Sequence, residues 1–220
     1  MNFRTFRSFL TSECLPSEAR EILKRNYFIS PVHGTASGSA HSVVVNARAF
    51  QHPYDLKISS VMENDIIACS IQDKSQPFHS YQLALTGYSD ELDLRALDGL
   101  RLELDGPELV MITSEMTGCV LVMQPSRDGS PYVLMAHIQP IGISHAELYK
   151  KLKEAPAYFK GEILPARLFG RTDQKNQKPN ITVNVIALRQ KKRWTLYFQE
   201  WKFTNNMRTI KDCGSIDLWM

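Results

Sequence analysis

The sequence predicts a β-rich α+β fold, a sandwich of mixed sheets with peripheral helices. Three observations carry that expectation. Most apolar stretches are short and bounded by Gly, Pro, Asn, Asp or Ser, as strands are. Only two segments combine helical periodicity with a helix start signal. The middle of the chain holds a hairpin signal whose two arms are apolar on both faces, as in a buried central sheet. Many strands with few helices then pack as sheet on sheet, with helices outside.

The elements follow in order. Pro16-Ser17-Glu18, followed by Ala19, Ile22, Leu23 and Tyr27, predicts an amphipathic N-terminal helix. Strands are expected near 41–49, 55–61, 65–72, 79–86, 100–104 and 108–113, with a short helix within Asp90 to Leu97. The hairpin comes next. Ser144 and Glu147 then form a capping box, with Ile143 and Leu148 at the hydrophobic-staple positions, so a second helix runs through Leu152 to about Ala155 and ends before Pro156. Further strands are expected near 162–168, 181–189 and 194–203, the last two joined by Gln190-Lys191-Lys192-Arg193.

Composition bounds the function classes. With 220 residues and 43% hydrophobic content, the chain (1–220) is expected to form one domain with a sizeable core. A net charge of +3 is too small to imply nucleic acid. No apolar run approaches the length of a membrane span, and Met1-Asn2-Phe3-Arg4-Thr5-Phe6-Arg7 lacks the apolar core of a secretory signal. Cys14, Cys69, Cys119 and Cys213 are scattered without a C-x-x-C pair, so reduced thiols are expected. His33, His41, His52 and His79 show no metal-binding spacing, and no metal or other cofactor is expected.

One stretch brings a nucleophile, a base and an orienting group within reach of one another. Val120-Leu121-Val122-Met123-Gln124 and Tyr132-Val133-Leu134-Met135-Ala136 flank a turn cluster whose strongest element is Asp128-Gly129. Pairing symmetrically about residue 128 sets Met123 opposite Val133, Leu121 opposite Met135 and Cys119 opposite His137. Opposed Cβ atoms lie roughly 4.5–5.5 Å apart, so thiol and imidazole would meet from adjacent strands. Gly118 can present its backbone N–H in orientations other residues resist, as an oxyanion site needs. Thr113 would orient the imidazole through its hydroxyl or its carbonyl. A buried Cys more often serves as a small hydrophobe, and Thr113 also suits a strand for its branching alone.

Thr113, Thr117-Gly118-Cys119, an apolar strand, a turn and Ala136-His137 resemble the motif of a glutamine deamidase family. That family includes the bacterial cytotoxic necrotizing factor toxins, related lethal-factor toxins and the chemotaxis receptor deamidases. The likeness covers residues 108–140, and Thr117 stands where the toxins more often have Ser. It implies a β-sandwich core and a cysteine-dependent protein-glutamine amidohydrolase. In that role Cys119 is the nucleophile, His137 the base, Thr113 its orienting group and Gly118 part of the oxyanion site. Protein substrates bearing a reactive glutamine are implied, among them small GTPases, a translation factor or chemoreceptors. Transglutamination is the adjacent chemistry. A monomeric toxin or effector is expected, cytoplasmic in its producer and delivered into a host cell without a signal peptide.

Two other classes compete. A papain-like cysteine protease sets its Cys on a helix and its His much farther along the chain, and no C-G-[SA]-C-[WY] run occurs here. A non-catalytic protein-binding module would use Cys119 and His137 as core residues. Elsewhere, His33 to His41 lacks the order of a phosphate loop and reads as a connection, while 170–180 reads as a polar loop that could rim a site. Lys191-Lys192-Arg193-Trp194, with Tyr197, Phe198 and Trp201, mixes basic and aromatic residues as a nucleic-acid platform does. Alternation instead sets Trp194, Leu196 and Phe198 on one face of a covered strand and Tyr197, Trp201 and Phe203 on the other.

Overall fold

The computed structural model describes residues 16–25, 28–29, 40–49, 56–60, 76–83, 85–88, 100–116, 118–125, 131–154, 181–190, 192–204 and 207–218. The chain opens with helix α1 (Pro16–Arg25) and strands β1 (Phe28–Ile29), β2 (Ala40–Ala49), β3 (Leu56–Ser60), β4 (Gln76–Leu83) and β5 (Leu85–Tyr88). It continues through β6 (Leu100–Glu103), β7 (Val110–Thr113), β8 (Val120–Pro125) and β9 (Tyr132–Pro140) to helix α2 (His145–Glu154). Strands β10 (Ile181–Gln190), β11 (Arg193–Thr204) and β12 (Met207–Asp217) follow. The strands expected at 65–72 and 162–168, the helix within 90–97, the polar loop 170–180 and the turn residues 126–130 lie outside the described residues.

The architecture is the β-rich α+β fold that the alternation predicts. A large sheet runs in the order β1-β3-β2-β4-β7-β10-β11-β12, and a smaller one is built around β9. Both are mixed. In the large sheet β4 and β7 pair parallel while β10 pairs antiparallel with β7 and β11. In the small sheet β9 pairs antiparallel with β8 on one edge. Its other edge takes β6 antiparallel along its first half and β5 parallel along its second.

One expected strand, 79–86, divides between the sheets: Gln76–Leu83 joins the large sheet and Leu85–Tyr88 the small one. The sequence shows a continuous run because only Ala84 separates the two pieces and no Gly or Pro marks the change of sheet. Two strands, β1 and β12, were not expected. In β12 the alternation is broken by a bulge, since Glu200 pairs with Asp212 but Trp201 pairs with Ile210, leaving Lys211 as the extra residue. Charged residues and a bulge are what an edge strand carries against further pairing.

The core lies between the two sheets. Leu83, Met111, Val183, Val185, Trp194, Leu196 and Phe198 meet Leu100, Leu102, Val122, Val133 and Met135 there. The outer side of β11 is covered by α1, whose Ala19 and Leu23 are buried. Gln199 donates to the Leu23 carbonyl from that face, and the Cys213 thiol reaches the Arg20 carbonyl at 4.0 Å. Tyr197 and Trp201 are accordingly buried. Trp194, Tyr197, Phe198 and Trp201 of β11 are buried, while Lys192 and Arg193 stay exposed at the turn.

Helix α2 starts where its sequence signals indicate. Ser144 N donates to Glu147 Oε2 at 2.8 Å, and Glu147 N donates to Ser144 Oγ at 3.2 Å, the reciprocal bonds of a capping box. Leu148 is fully buried and Ile143 packs against the same cluster, completing the staple. Gly142 has a φ of 72°, the left-handed turn that separates β9 from this helix. Among the described residues no helix is long and apolar enough to cross a membrane.

Candidate active site

The hairpin forms with a register different from the one expected. Leu121 opposes His137, Val120 opposes Ile138 and Met123 opposes Met135. Cys119, directly ahead of β8, therefore falls opposite Gln139. The expected facing pair of Cys119 and His137 is corrected: the two are diagonal neighbours, a separation of roughly 7–8 Å between Cα atoms. The strands pair about a centre one residue further along the chain than turn chemistry suggests. Turn chemistry locates a reversal, but one turn residue displaces each opposed pair by two. A displacement by two preserves the faces, so Cys119 and His137 keep the same side of the sheet.

His137 occupies the middle of the small sheet, between Leu121 on one side and Leu85 on the other. Its ring is fully buried. Nδ1 lies 2.7 Å from Thr113 Oγ1, and that hydroxyl also donates to the Leu83 carbonyl at 3.0 Å. A Thr hydroxyl carries one proton, and a backbone carbonyl can only accept. The proton therefore goes to Leu83 O, and Oγ1 accepts from Nδ1–H of His137. This donor count places a proton on Nδ1, so that in the neutral ring the lone pair is on Nε2.

The contact spans the two sheets. Thr113 ends β7 and pairs with Leu83 of β4, both in the large sheet, whereas His137 belongs to the small one. Of the two expectations for Thr113, the hydroxyl is the group that meets the ring.

Cys119 is fully buried and belongs to the inter-sheet cluster. Its thiol donates to Gln139 Oε1 at 2.8 Å. Gly118, immediately before it, has a φ of 87°, a backbone conformation that a side chain would strain. Gln139 is half-buried at the end of β9 and turns its Nε2 towards the Pro140 carbonyl at 3.5 Å. Sequence reasoning missed Gln139. The signal was present: it is the one amide in the otherwise apolar run after His137, and the corrected register sets it against Cys119.

Burial pushes the Cys213 thiol above its ordinary pKa, partly offset by the nearby Lys24 ammonium. Among the described residues no group of His, Cys, Asp and Glu is arranged to hold a metal ion.

No family model and no curated protein sequence matches the chain. Among solved structures it is similar to the C-terminal domain of CNFy from Yersinia pseudotuberculosis. The identity is 11%, the match covers 97% of each chain, and the TM-score is 0.44.

Proposed function

We propose that this chain is a cysteine-dependent protein-glutamine deamidase, a monomeric single-domain toxin or effector acting inside a host cell. The observation that carries this reading is the 2.7 Å contact between Thr113 Oγ1 and His137 Nδ1. It orients an imidazole with its lone pair on Nε2, on the strand that pairs with the one entered through Gly118-Cys119. A nucleophile, a base and a group orienting that base are the parts an acyl-transfer site requires.

The chemistry follows from these groups. Cys119 Sγ attacks the side-chain carboxamide carbon of a substrate glutamine, and His137 Nε2 takes the thiol proton. The tetrahedral oxyanion is met by backbone N–H groups at Gly118-Cys119. Collapse breaks the C–N bond, His137 returns its proton to the departing nitrogen, and ammonia leaves a thioester. Water, deprotonated by His137, then attacks the thioester carbon. The C–S bond breaks, the sulfur regains a proton, and the substrate residue is released as glutamate. An amine in place of water would give transglutamination.

The sequence motif, residues 113–137, supports the family resemblance and with it a protein substrate such as a GTPase or translation factor. A second reading is a non-catalytic binding module, favoured by the complete burial of Cys119 and His137. One experiment separates them. The purified protein and its Cys119→Ala variant are incubated with host-cell lysate, and new Gln-to-Glu conversions are mapped by peptide mass spectrometry. Conversions made by the native protein and absent with the variant are expected. Equal conversion by both would remove the deamidase and leave the binding module.

A further inference from the structure

The thiol that the deamidase reading requires as a nucleophile is already engaged with a carboxamide. Cys119 donates to Gln139 Oε1 at 2.8 Å. The orientation of that amide is fixed by its other end, because the Pro140 carbonyl near Nε2 can only accept. The oxygen therefore faces the sulfur. An S–H···O bond requires the protonated thiol, and it aims the proton at Gln139. Burial is graded across the three groups: Cys119 and His137 are sealed, while Gln139 reaches towards solvent.

We propose that Gln139 is an internal stand-in for the substrate carboxamide, which holds Cys119 as a hydrogen-bonded thiol until a substrate glutamine displaces it. The identity of the displacing group rests on the deamidase reading. The hold on the thiol does not. Gln139 acts through Cys119 and is a positioning residue. Exchange of one carboxamide for another replaces an S–H···O bond with a like one, and a turn of the Cys119 side chain then presents its proton to His137. Departure of the product glutamate leaves the position open, and Gln139 returns to it.

The test uses iodoacetamide on the full chain, with alkylation of Cys119 followed by peptide mass spectrometry in wild type, Gln139→Met, Gln139→Ala and Gln139→Glu. Met retains volume without an acceptor at that point. Met and Ala are expected to speed alkylation about five- to tenfold, the equivalent of one lost hydrogen bond. Glu retains the acceptor, adds charge and is expected to slow alkylation below wild type. The infrared S–H stretch of Cys119, identified by difference against Cys119→Ala, is expected to move to the free-thiol position in Gln139→Met.

A purely structural Gln139 would loosen the site in every variant and would not reverse sign between Met and Glu. Unchanged or slower alkylation in folded Gln139→Met overturns the proposal, as does faster alkylation in Gln139→Glu. If Gln139→Ala does not fold, the Met and Glu pair decides. The lysate assay runs in parallel. Conversions dependent on Cys119 with unchanged alkylation overturn the stand-in and leave the deamidase. Faster alkylation without conversions overturns the deamidase and the substrate mimicry together.

Discussion

At the scale of single residues, Thr113 has two roles that mutation can separate. Its hydroxyl satisfies the Leu83 carbonyl and the His137 ring together. Thr113→Val preserves shape and strands both partners in a buried position, a destabilisation of about 1–3 kcal/mol. General acid–base catalysis contributes roughly 10²–10⁴-fold, so a base left without its orienting group is expected to lose about 10- to 100-fold in deamidation rate. Thr113→Ser retains the hydroxyl and should recover most of both, as measured by thermal melting and by Gln-to-Glu conversion. Gly118→Ala, at a φ of 87°, is expected to cost about 1–3 kcal/mol from backbone strain and to lower conversion by misaiming the neighbouring N–H. At this scale the sequence was informative about residue types, since Thr, Gly, Cys and His stand in an order with chemical sense. It showed Gln139 only as a lone amide in an apolar run, which has no meaning until a register gives it a neighbour.

At the scale of elements, local signals sufficed where the chemistry is local. The capping box of α2 needs only residues three apart, and its start was legible to the residue. The Glu147 carboxylate is held below its ordinary pKa first by the Ser144 backbone N–H and then by the Ser144 hydroxyl. A carboxylate whose folded pKa is depressed adds stability above its unfolded pKa and loses it as pH falls through the folded one. The melting temperature of wild type is therefore expected to exceed that of Glu147→Gln at neutral pH, with the gap closing in acid below the unfolded carboxylate range. Ser144→Ala should cost about 1 kcal/mol. Elements whose identity depends on distant partners were less legible. Strand β12 hides its periodicity behind the bulge at Lys211, and the hairpin register differs by one turn residue from the one its composition suggests.

Helix α1 adds a test at the same scale, because its attachment and a thiol are joined. Leu23 is buried against the β11–β12 face, and Cys213 lies beneath the Arg20 carbonyl. Leu23→Ala is expected to destabilise by about 2–5 kcal/mol through the cavity it leaves. It should also expose Cys213, whose thiol burial keeps protonated, so that iodoacetamide labels Cys213 faster than in the native protein. Equal labelling in both would show that α1 does not shield this thiol.

At the scale of the whole molecule, two of the polar connections between the sheets among the described residues differ in what depends on them. One is Thr113 to His137. The other is Arg189 of β10, which reaches the small sheet by donating from Nη1 to the Glu103 carbonyl at 3.2 Å and from Nη2 to the Gly106 carbonyl. Trp194, its ladder partner, donates from Nε1 to the same Glu103 oxygen at 2.9 Å, and the guanidinium carbon lies 5.9 Å from its ring centroid. Tyr81 packs edge-on against Trp194, and its phenol is held above its ordinary pKa by burial and then by Glu103. Hydrogen bonds from a charged donor contribute about 1.5–3 kcal/mol each, but Arg189→Met restores apolar contact and leaves Glu103 O satisfied by Trp194. The expected net loss is about 2–4 kcal/mol, a fall in melting temperature of roughly 4–16 °C for a chain of this size. Cys119 alkylation and Gln-to-Glu conversion per folded molecule should remain at wild-type levels, because the hydrogen bonds of this connection run to Glu103 and Gly106 rather than to Thr113, Cys119 or His137. A parallel loss of conversion in folded Arg189→Met protein would mean that the two connections act as one cooperative layer contact, with the site's geometry set by the sheets' overall packing rather than by Thr113 alone.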